Sequence, residues 1–86
     1  MTGKQDAIRA IYAQVDAPAW ASPNLDGLAD VLRDLSWLPE RAALITLPDL
    51  GGLSADERGA LLRVLARAVD ESIDSARPVR VKRGEG

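Results

Sequence analysis

The chain has 86 residues, 47% of them hydrophobic and 28% charged, which suits one domain (1–86) with a modest core and leaves too little for a second. It holds no Cys and no His, so disulfides, thiolate ligands, cysteine nucleophiles and the commonest general base are all excluded. The expectation is a non-enzyme that uses no cofactor and no metal. Net charge is only −2, yet Asp16 to Glu40 carries five acids against Arg33 alone, while Arg77 to Gly86 carries four bases against Glu85. Opposite ends of the chain would therefore attract partners of opposite charge.

Nothing before Asp6 resembles the apolar part of a leader, and no apolar run approaches the ~20 residues that span a bilayer, so a soluble cytoplasmic protein is expected, with no membrane partner. From Asp6 to Val15, Ile8, Ile11, Tyr12 and Val15 recur at helical spacing, which predicts an amphipathic helix with Asp6 as its cap. Pro18 ends that pattern, and Asp16 to Ala21 reads as a loop bearing Trp20. Ser22-Pro23 is a favourable helix start, with Asn24 as a competing cap. The helix that follows buries Leu25, Leu28, Leu32 and Leu35 and gathers Asp26, Asp30 and Arg33/Asp34 on another side, until Pro39 rules out its continuation.

Ala42 to Leu47 is a nearly continuous apolar run and predicts a strand buried on both faces. Ser54-Ala55-Asp56-Glu57 is the pattern of a capping box, opening a helix to about Ser72 or Asp74 with Leu61, Val64, Leu65, Ala68 and Val69 inward. Val79 and Val81 alternate with Arg80 and Lys82 between Pro78 and Arg83, as in a half-exposed edge strand. Strand, helix and strand form one crossover unit, so the two strands should be parallel.

Asp26 and Asp30 lie four residues apart, where like charges cost a helix roughly 0.2–0.5 kcal/mol. As a pattern alone this is most simply a solvated face; the sharper reading is a carboxylate stripe offered to a cationic cleft. An Mg²⁺ site or an acid/base pair built on Asp26, Asp30 and Asp34 is the third, less favoured because metal cages draw ligands from several elements. The basic segment Arg77 to Arg83 reads as a charged edge strand and not as a nucleic-acid site, because no aromatic is interleaved to stack bases. Trp37, beside Leu35 and Leu38, reads as core, whereas for Trp20 an interface and a core cover are equally good readings.

Taken in order, Asp16-Ala17-Pro18-Ala19-Trp20, Asn24-Leu25-Asp26-Gly27-Leu28-Ala29-Asp30-Val31-Leu32 and Asp34-Leu35-Ser36-Trp37-Leu38-Pro39 resemble the barstar family of ribonuclease inhibitors, and the likeness runs from about Asp6 to Arg83. The resemblance implies an α/β fold, a small parallel sheet packed by helices, and a chain that blocks a secreted guanyl-specific bacterial ribonuclease. It implies that Asp30 stands where the RNA phosphate would sit, that Asp26 supports it, and that Trp20, Asn24, Gly27 and Asp34 complete the partner-binding surface. The alternative is a barstar-like module with a non-nuclease partner. Ala29 stands where the family usually has Trp, Ser22-Pro23 where a Gly often opens the loop, and Arg67 near a position acidic in its best-known member. The family's first strand is also missing before Asp6, which leaves a sheet edge open and leads to the expectation of a homodimer.

Overall fold

The computed structural model describes residues 3–83, and within them the order is α1 (Lys4–Gln14), α2 (Leu25–Asp34), β1 (Ala43–Thr46), α3 (Ala55–Glu71) and β2 (Val79–Lys82). Glu85 of the basic tail lies outside the described residues. The fold is α/β, with β1 and β2 in parallel and Ala43 opposite Val79 through Thr46 opposite Lys82. Main-chain bonds close both ends of the ladder, from Ala43 N–H to the Pro78 carbonyl at 2.8 Å and from Leu47 N–H to the Lys82 carbonyl at 2.9 Å. Among the described residues no strand precedes α1.

The core forms where α1 packs on β1 and α3 on β2, with α2 laid against both helices. Ile8 and Ile11 of α1, Leu28 and Val31 of α2, Ile45 of β1, Leu61 of α3 and Val79 of β2 are all sealed from solvent. Each such side chain gives about 1.5–3 kcal/mol on burial; Tyr12 is buried with them and Trp37 packs against them half-buried. Val64, Ala68 and Val69 are only partly covered, so the inner stripe of α3 is narrower than its periodicity suggests.

Three local expectations change. Asp6 does not cap α1: Gly3 holds that position, and the Asp6 carboxylate reaches back to the Gly3 N–H at 3.4 Å from inside the first turn. Ser22 does not cap α2, because Asn24 does. Nor is β1 buried on both faces: Ala43 and Ile45 point into the core, whereas Leu44 is 62% exposed. A two-stranded sheet has helices to cover one side only, and Leu44 shares the other with Arg80.

The free edge of β1 is partly occupied. The Gln14 side chain accepts from Thr46 N–H at 2.7 Å and donates to the Thr46 carbonyl at 2.8 Å, taking the place of a neighbouring strand. On the far edge of β2, Val79 N–H donates to Ser72 Oγ at 2.8 Å. By the alternation of a parallel ladder, the Leu44 N–H and C=O point to the β1 edge without such a substitute. On the β2 side the same alternation points the Val81 N–H and C=O outward, so each edge keeps one such residue.

Candidate functional site

Two devices place the acidic stripe, one inside α2 and one from outside it. Within the helix, the Asn24 side-chain oxygen accepts from Gly27 N–H at 2.7 Å and satisfies one of the free amides of the first turn. Asp26 then sits where the positive end of the helix favours an anion. Asp26, Asp30 and Asp34 follow at intervals of four, each turned about 40° from the last, so they form a gently winding row. Among the described residues only Asp30 meets a cation, Arg33 at 3.9 Å, and both side chains are more than 60% exposed. Such a pair contributes about 0–1 kcal/mol, and the row is held by the helix that carries it.

Tyr12 of α1 is the external device. Its hydroxyl donates to the carbonyl of Ser22, fastening the loop after α1 across the start of α2. The side of Gly27 on which a Cβ would stand faces that same carbonyl and the Tyr12 hydroxyl, with no room for a methyl group. Gly27 therefore serves close approach of loop and helix; it positions the surface more than it forms it. Burial raises the Tyr12 pKa above its ordinary 10.0, and the Asp30 carboxylate raises it further. That second effect places Asp30 within electrostatic reach of the hydroxyl.

Trp20 is held separately. It is 59% exposed and stands edge-on against Trp37, with ring centroids 6.4 Å apart and planes at 88°. Trp37 is half-buried, and its indole N–H donates to the Val15 carbonyl at the end of α1 at 2.9 Å. The left-handed backbone of Leu35 (φ 50°) ends α2 and turns the chain toward that contact. Two aromatic rings thus make a platform at the ends of α1 and α2, of which Trp20 is the outer part. Asn24, Asp26, Gly27 and Asp30 are brought together on the first turns of α2, Asp34 lies at the helix end, and Trp20 belongs to the platform.

Tyr12 is the residue that sequence reasoning missed as part of this site. Its helical spacing with Ile8 and Val15 marks it as core, which it also is, and the ten-residue separation from Ser22 hides the loop contact. The row has little in common with a cation cage: among the described residues no three carboxylates are grouped to hold a metal ion. No helix in the described residues is long and apolar enough to cross a membrane.

The family model described as Barstar (barnase inhibitor) matches residues 1–83. No curated protein and no solved structure matches the chain.

Proposed function

The chain belongs to the barstar family, whose members are ribonuclease inhibitors, and on that premise we propose that it blocks a secreted guanyl-specific bacterial ribonuclease with the acidic face of α2 and the loop before it. The observation that supports the reading is the row Asp26, Asp30, Asp34: like charges on successive turns of one helix, whose one ion pair, Asp30 with Arg33, is exposed and weak. A site that cleaves RNA has to be cationic to hold phosphate, and a carboxylate already fixed in place meets it without the entropy of ordering a flexible ligand.

Asp30 is the central anion and stands in for the phosphate. Asp26 supports it from the helix start and Asp34 extends the row. Trp20 supplies apolar area on a rigid base, as interface aromatics do. Asn24 and Gly27 shape the surface by capping the helix and admitting the loop. The chain performs no chemistry in this reading, needs neither cofactor nor metal, and acts in the cytoplasm.

The test is to titrate the chain and its Asp30→Ala variant into a panel of guanyl-specific bacterial ribonucleases while following RNA cleavage. Wild type should inhibit at least one, and Asp30→Ala should raise the inhibition constant at least ~30-fold, the effect of losing ~2 kcal/mol at an interface hot spot. Inhibition should also weaken between low and high salt, because the contact is between charges. Absence of inhibition across the panel would sink the reading; equal inhibition by the variant would remove Asp30 from its centre.

A further inference from the structure

A groove runs between α2 and α3, with a cavity of about 390 Å³ that the row of carboxylates borders without filling. Leu32, buried, and Ala29, Val64 and Ala68, half-buried, line it together with the exposed Asp26 and Arg67. We propose that this groove selects the partner: it receives a side chain of the bound ribonuclease that has an apolar stem and a carboxylate head, with the head at Arg67. The inference rests on the reading of α2 as the nuclease contact and deepens it.

Three observations lead there. The groove is continuous with the row, since Asp26 and Asp34 line it, so a protein seated on Asp30 lies over it. Its volume falls near the lower end of the ~300–1,000 Å³ of small-molecule pockets, which leaves room for one or two inserted side chains. Its charge is the third. Asp26, Asp34 and Glu71 on the lining favour a cation and Arg33 is held by Asp30, so Arg67 is the point of the groove at which an acid would be attracted. The Arg67 guanidinium is available for that exchange: its contact with Glu71 is 3.5 Å long, with side chains 75% and 50% exposed, and such pairs contribute about 0–1 kcal/mol. Arg77, also on the lining, is committed elsewhere, since its Nε donates to the Leu38 carbonyl at 2.8 Å. The small side chain of Ala29 keeps the groove open.

The test uses the intact chain with Ala29→Trp, which fills the groove, and Arg67→Glu, which reverses its charge at an exposed site where folding is not at stake. Inhibition constants are measured for both and for Asp30→Ala across the same panel of ribonucleases, with sedimentation of each variant. Asp30→Ala is expected to weaken inhibition of every nuclease, and Ala29→Trp to weaken it about 10-fold. Arg67→Glu should re-rank the panel, the nucleases inhibited best losing most. Unchanged inhibition by both groove variants, with Asp30→Ala impaired, overturns the groove and leaves the acidic contact standing. A uniform change across the panel on Arg67→Glu also overturns it, since no selection is then exerted. If Ala29→Trp converts a dimer to a monomer, the occupant is a second copy and the assignment to the nuclease falls. Inhibition of nothing by wild type overturns both readings together.

Discussion

α2 and α3 begin with the same device and use their acids differently. At each start a side-chain oxygen accepts from the N–H three residues on: Asn24 from Gly27 at 2.7 Å, and Ser54 from Glu57 at 3.1 Å. In α3 the contact is returned, because the Glu57 carboxylate accepts from Ser54 N–H at 3.0 Å and is consumed in holding the helix end. In α2 the corresponding residue is Gly27, which has nothing to return. A carboxylate is excluded there by the Ser22 carbonyl, which lies where any Cβ would go. The acids of α2 therefore stand along its outside with only weak roles in the fold, whereas Glu57 at the start of α3 closes its cap.

The strongest way to break this contrast is to give each helix an alanine for its glycine. Gly27→Ala forces loop and helix apart and should cost about 1–3 kcal/mol, as overpacking does. For a domain of this size each kcal/mol lowers the melting temperature by about 4–8 °C. Inhibition of the nuclease should weaken with it. Gly59, inside α3, has open space around the same position, so Gly59→Ala should raise stability by about 0.5–1 kcal/mol and leave inhibition alone. Thermal unfolding of the two variants measures opposite signs; a tolerated Gly27→Ala would mean that the loop is not pressed on the helix.

The caps are expected to show a smaller difference. Asn24→Ala and Ser54→Ala should each cost about 1 kcal/mol in chemical denaturation. Only Asn24→Ala should also slow or weaken nuclease inhibition, because its helix carries the proposed contact. If both variants inhibit like wild type once folded, the start of α2 is no more precise than that of α3.

The same contrast explains what could be read from the chain in advance. The start of α3 was legible because all its partners are within three residues, and the parallel strand pair followed from two short runs separated by a long helix. The acidic row was legible because helical spacing alone aligns Asp26, Asp30 and Asp34. Contacts at longer separation were not. Gln14 bonds with Thr46 at a separation of 32 residues, and no pattern in either segment announces it. Leu44 misled for a related reason: an unbroken apolar run does not say whether a layer exists to cover its second face. The end of α2 had no glycine to mark it, since Leu35 adopts the left-handed turn itself. At the site, Ser22-Pro23 is a favourable helix start on paper, but α2 begins at Leu25 and it is the Asn24 side chain that accepts from Gly27 N–H.

Tyr12 offers the finest probe, because it is the chain's single tyrosine and its ionisation can be followed by near-ultraviolet absorbance without interference from another. The hydroxyl is buried first and faces Asp30 second, and both hold its pKa above 10.0. A proton kept in the folded state after the unfolded chain would release it means that stability is intact below pH 10.0 and falls as pH rises through the folded value. Ionisation also ends donation to the Ser22 carbonyl, so the loop should loosen over the same interval. Tyr12→Phe should abolish this alkaline loss while lowering stability near neutral pH by about 1 kcal/mol, the usual net effect of one hydrogen bond. Asp30→Asn should lower the Tyr12 midpoint without returning it to 10.0, since burial remains. No change on Asp30→Asn would mean that the hydroxyl does not sense the acidic row, and that the loop and the row are placed independently.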